Sequence, residues 1–190
     1  MRDLLKPALV LFLICALTTA ALAGTYEVTR DIIADRAAMD AVALRQWVLP
    51  GTESFDAMTE IPADVLSVYK GMTEGKVSGY VVTSAAGGYA GNLVIMAGIT
   101  ADGKIQGIRI LSANETPGLG TKTYSDAFLG QFQGEAPAGG FVLVKNTAKS
   151  GEIEAVSGAT LSSRAVTRAV NTALAAIAVI TGKEGTDHGK

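Results

Sequence analysis

Two short segments carry residue types that could do chemistry. The first, Ser157-Gly158-Ala159-Thr160, stands immediately before a stretch of helical periodicity from Ser162 to Ile180. The first turn of a helix leaves backbone N–H groups without partners and turns the positive end of the helix dipole outward, which favours phosphate. Small residues there let a bulky group approach, and Thr160 puts a hydroxyl in that setting. The same letters also read as Ser157 or Thr160 capping the helix while Gly158 turns the chain. Nothing nearby in sequence resembles a base that would activate the threonine, so covalent modification of it calls for a separate enzyme.

The second segment runs Asn114-Glu115-Thr116-Pro117-Gly118-Leu119-Gly120-Thr121-Lys122. Pro117 fixes one backbone angle, Gly118 and Gly120 permit a tight turn or a close approach, and Glu115, Thr116 and Lys122 add polar groups. Such a loop can edge a planar heterocycle; it can equally be a plain connection. Other chemistries have little to work with. The one cysteine, Cys15, lies in an apolar run, and the one histidine, His188, lies in a Gly- and charge-rich tail, so no Cys/His metal or catalytic cluster is expected. Nor does a GxGxxG fingerprint follow a strand, as a dinucleotide site would require.

The elements that must position these segments can be read coarsely. From Pro7 to Tyr26 no residue is charged, a length that spans a hydrocarbon core of roughly 30 Å as a helix. Arg2 and Lys6 precede it and Glu27, Arg30 and Asp31 follow, which puts the short end in the cytoplasm and the rest outside. The alternative is a cleaved signal peptide ending near Ala21-Leu22-Ala23; both readings export the domain. Residues 27–47 have loose helical spacing, and Pro50-Gly51 and Pro62 then break the chain into short pieces. Strand texture follows in VSGYVVTS, GNLVIMAGIT and KIQGIRILS, the last two joined by Ala101-Asp102-Gly103 as a hairpin. A short helix is expected over Tyr124–Phe132, a strand over Phe141–Val144, and an amphipathic helix with Val166, Val170, Leu174 and Ile177 on one face.

The expected class is α+β: a cytoplasmic start at 1–6, a transmembrane helix at 7–26, a helical and irregular lead-in at 27–75, one domain with an antiparallel sheet and packed helices at 76–181, and a flexible tail at 182–190. With 16 basic and 18 acidic residues and a formal charge of -2, no basic, aromatic-laced surface for nucleic acid is present.

SGAT followed by LSSRAV, preceded by NETPGLGTK and by an uncharged amino-terminal span, resembles the G subunit family of the Rnf complex, a bacterial ion-translocating ferredoxin:NAD oxidoreductase. It is similar, less closely, to the C subunit of the sodium-translocating NADH:quinone reductase. The resemblance covers the chain from the anchor to about Ile180. It implies an electron relay in the inner (cytoplasmic) membrane whose exported domain carries FMN, attached by a flavin transferase in phosphoester linkage to Thr160. Ser157, Gly158 and Ala159 would be the recognition context, and Glu115, Thr116, Pro117, Gly118, Leu119 and Gly120 would border the flavin. The other Rnf subunits would be its partners. Arg164, four residues after Thr160 on one helix face, could offset phosphate charge or be a solvated arginine. Where the family has an aspartate three residues before the serine, this chain has Glu154, which keeps the carboxylate with one more methylene. The alternatives are the equivalent subunit of another membrane complex and an exported module with no redox role.

Overall fold

The computed structural model describes residues 2–187, with side chains described for residues 6–30 and 39–182. Two compact units are distinguished, Met1–Ala43 and Leu44–Lys190.

The first unit is helix. Helix α1 runs without a break over Arg2–Val48, so the expected span and the helical part of the lead-in are one element. Within it Lys6–Arg30 has a mean hydropathy of 2.2 and none of its most apolar window is buried; Leu9, Phe12 and Leu17 all stand exposed. Large apolar side chains exposed all round a helix suit lipid and not water.

The second unit is built on a six-stranded antiparallel meander, β1 (Ser54–Ala57), β2 (Val65–Thr73), β3 (Lys76–Gly87), β4 (Asn92–Thr100), β5 (Lys104–Ser112) and β6 (Gly134–Glu135), in sequential order. The sheet therefore begins well before the expected boundary at 76: β1 and β2, placed by sequence in an irregular lead-in, belong to it. A register shift between Val65 and Ser67 puts the buried Val65 and Val68 three residues apart, which hides the period of two that announces a strand.

Alternation then sorts the central strands onto two faces. Tyr80, Val82, Leu93, Ile95, Ala97 and Ile99 meet helix α3 (Thr160–Asp187) through Ala165, Val166, Ala169, Val170, Ala173 and Ile177. Val81 and Met96 face the other way, onto Val48 and Leu49 at the end of α1. There Gly98 lets backbone meet backbone, since a Cβ on it would lie 2.0 Å from the Val48 carbonyl oxygen. Arg45 sits 3.8 Å over the Tyr69 ring and Arg109 3.6 Å over Trp47, fixing that contact from both sides.

Although α3 is long and apolar enough to cross a membrane, half of its most apolar window is buried on the sheet, so it is accounted for as a core helix. It continues to Asp187, so the tail expected from 182 begins as helix; no proline interrupts the run, and a helix already nucleated propagates readily. Residues 188–190, His188 among them, lie outside the described residues.

Between β5 and α3 come a 3-10 turn at Gly120–Tyr124, helix α2 (Asp126–Leu129), a 3-10 turn at Gly130–Phe132, and a parallel pair, β7 (Val142–Val144) with β8 (Glu152–Glu154). Phe128, Phe132 and Phe141 pack edge to face at 5.7 and 5.2 Å. β8 delivers the chain to the start of α3. The fold is α+β, as its strand and helix pattern indicated.

Candidate functional site

Three connections meet at the amino-terminal end of α3: the β3–β4 turn, the loop after β5, and residues 155–159. Each is tied by side-chain hydrogen bonds. The Ser163 hydroxyl accepts from the Val156 N–H and donates to the Ala159 carbonyl, both at 3.0 Å. The Ser163 N–H closes the first helical bond onto Ala159 at 2.9 Å, leaving the N–H groups of Thr160, Leu161 and Ser162 ahead of the ladder. Ser163 thus ties residues 156–159 to the helix without capping it, and neither the Ser157 nor the Thr160 side chain bonds a first-turn N–H among the described residues. Gly158 turns the chain as expected: its φ is +79°, and a Cβ there would lie 2.9 Å from Leu119 Cδ1.

The loop after β5 folds under this helix end. Pro117 and Gly118 are the middle positions of a turn closed by the Leu119 N–H on the Thr116 carbonyl at 3.2 Å. Glu115 is 6% exposed, and its carboxylate ties its own loop to the β3–β4 turn and to α3: Oε1 accepts from the Tyr89 N–H at 2.9 Å, and Oε2 accepts from the Ser162 hydroxyl at 2.7 Å. Arg168 adds a strap, donating to the Gly87 carbonyl at 2.8 Å.

These ties leave an open hollow of about 320 Å³, within the size range of small-molecule sites. Thr160, Gly158, Ala159, Glu115, Thr116, Leu119 and Gly120 line it. Ser157, Pro117, Gly118 and Arg164 do not; all four are exposed beside it. Glu154 is exposed as well, its backbone paired with the Gln131 side chain at 2.7 and 3.3 Å.

Three lining residues escaped the sequence reading: Tyr89, Leu161 and Ser162. The signal for Tyr89 was the Gly87-Gly88-Tyr89 turn between strands. Ser162 shows itself only through its contact with Glu115, 47 positions away. A larger hollow of about 670 Å³ lies between the β4–β5 turn, residues 136–140 and the second half of α3, but its one amide, Asn171, is already bonded to the Phe141 N–H and carbonyl.

The smaller hollow has the chemistry. The Ser162 and Ser163 hydroxyls are committed, whereas the Thr160 hydroxyl makes no hydrogen bond among the described residues. It stands partly buried beside three N–H groups that have no partner among the described residues, at the positive end of a 28-residue helix. No lysine or arginine is among the described residues lining the hollow. A singly charged phosphate ester fits such a place, because oriented N–H dipoles can balance one negative charge without a cation.

Residues 88–175 match the FMN-binding domain family, which makes the domain around this hollow a flavin-binding one. Residues 1–44 match the RnfG N-terminal region. The G subunit of the Na(+)-translocating ferredoxin:NAD(+) oxidoreductase complex of Acetobacterium woodii is 41% identical over 182 residues, 87% of each chain being covered. The G subunit of an ion-translocating oxidoreductase complex of Methanosarcina acetivorans is 33% identical over 180 residues, covering 91% of this chain and 94% of that one. A crystal structure of the C subunit of Na(+)-translocating NADH-quinone reductase from Parabacteroides distasonis superposes with a TM-score of 0.48 at 24% identity, covering 57% of this chain and 58% of that one. The chain belongs to the family of Rnf complex G subunits.

Proposed function

We propose that this protein is the electron-relay subunit of a membrane-bound, ion-translocating ferredoxin:NAD oxidoreductase, with FMN held by a phosphoester on Thr160. The observation that carries the reading is the uncommitted Thr160 hydroxyl, in the hollow and against the free N–H groups of the first turn of α3. FMN, when bound, supplies reversible uptake and release of electrons on its ring. The chain's own residues hold and shield it. Thr160 carries the ester, the N–H groups of Thr160 to Ser162 balance its charge, and Tyr89, Leu119 and Leu161 give the hollow its apolar wall.

Attachment requires a flavin transferase. The Thr160 oxygen displaces AMP from FAD, forming the Thr160 O–P bond as the diphosphate bond breaks and the hydroxyl proton is lost. Among the described residues lining the hollow Glu115 is the one carboxylate, and it is held by Tyr89 and Ser162, so the base that takes the proton comes from the transferase. The segment Lys6–Arg30 anchors the protein in the inner membrane, with the flavin domain on the outer side and the remaining Rnf subunits as partners.

The test is retention of colour. Co-produced with a flavin transferase and solubilised as the full-length chain, the protein stays yellow through denaturation and precipitation, and Thr160→Ala is colourless. Release of all flavin from the wild type by denaturant would contradict the ester.

A further inference from the structure

Glu115 is the carboxylate in the hollow, and it is built in. Both oxygens accept hydrogen bonds, from the Tyr89 N–H and the Ser162 hydroxyl, and a Cβ on Gly88 or Gly120 would fall 2.2 or 2.7 Å from those oxygens. An acceptor-only group held in this way is a fixed negative charge. Its reach is seen at Tyr124, whose phenol is pushed above its ordinary pKa first by burial and next by the charge of Glu115. The helix end facing the hollow thus works against a negative charge already present, with no cation among the described lining residues to offset it.

Phosphate esters differ in what they bring to such a place. A phosphomonoester carries about −1.5 to −2 charges at neutral pH, whereas a diester has no second proton to lose and carries a single charge. We propose that Glu115 is a specificity-determining residue, positioned by Ser162, that repels the phosphomonoester of free FMN while admitting the phosphodiester formed on Thr160. The proposal rests on the flavin reading of the hollow and deepens it. Its consequence is that the newly made protein does not fill with free FMN, so Thr160 stays open until the transferase reaches it.

The experiment uses the full-length chain in detergent, made without a flavin transferase so that Thr160 is bare. It is titrated with FMN, with the methyl phosphodiester of FMN, and with riboflavin, following flavin fluorescence. The wild type should bind the diester more tightly than FMN by about fivefold or more at low salt, the preference shrinking as salt is added. Glu115→Gln, which keeps the shape and loses the charge, should abolish the preference; Glu115→Asp should keep it. Riboflavin, which has no phosphate, should bind the wild type with an affinity that added salt does not change. Equal binding of FMN and diester by the wild type overturns the proposal, and needs no variant to show it. So does binding of neither, or a preference that survives in Glu115→Gln. Failure of the ester itself is a separate result: it appears as an unmodified Thr160 in the protein co-produced with the transferase, whatever these ratios are.

Discussion

Thr160 is set apart from its neighbours by what its hydroxyl is not doing. Ser162 bonds Glu115, Ser163 bonds Ala159, and Thr167 bonds the Ser163 carbonyl, which leaves Thr160 as the free hydroxyl of the first two turns of α3. Gly158 supports that arrangement from the outside. Gly158→Ala forces a side chain onto φ +79° and against Leu119, so it should destabilise the domain by about 1–2 kcal/mol. It should also lower flavin content per chain, measured by absorbance after co-production with the transferase. At this scale the lining of the hollow was legible where its residues are consecutive, as in 158–160 and four of 115–120. It was not legible where partners come from afar: Tyr89 and Ser162 join the site through Glu115 across 26 and 47 positions. Arg164 illustrates the reverse, a residue that sequence spacing brings near Thr160 and the fold leaves exposed outside the hollow.

Among the elements, those with clean periodicity were readable. The β4–β5 hairpin and the buried face of α3 fall where the pattern of apolar residues puts them. β7 falls within the strand expected over Phe141–Val144, whereas β2 was hidden by its register shift and β8, three residues long, is too short to show any period. That the helix after the membrane span packs on the domain was within reach of its apolar spacing, and Val48 and Leu49 do meet Val81 and Met96; the glycine that lets the backbones approach gives no such signal. Gly98→Ala would drive a Cβ into the Val48 carbonyl, and a backbone atom cannot swing aside. A loss of about 2–3 kcal/mol in urea unfolding of the detergent-solubilised chain is expected. An unchanged midpoint would mean that the end of α1 does not pack there.

For the whole molecule, the position of the folding boundary separates the sequence reading from the structure. A chain beginning at 40 keeps Leu44 to Leu49 together with β1 and β2, and should melt cooperatively. A chain beginning at 76 strips Val48, Leu49, Val65 and Val68 from the two cores, and should show no cooperative transition by circular dichroism. Above that boundary the span at Lys6–Arg30 presents its apolar side chains outward, and the flavin domain carries its own hollow. The electron-relay role proposed for this protein depends on an ester forming on one hydroxyl. Trypsin should release the peptide from Ser150 to Arg164, whose hydroxyl residues are Ser150, Ser157, Thr160, Ser162 and Ser163. Fragmentation mass spectrometry of that peptide from protein purified with its native flavin should find the mass of FMN less water on Thr160. A bare peptide, or the same mass on any of its serines, would contradict the assignment.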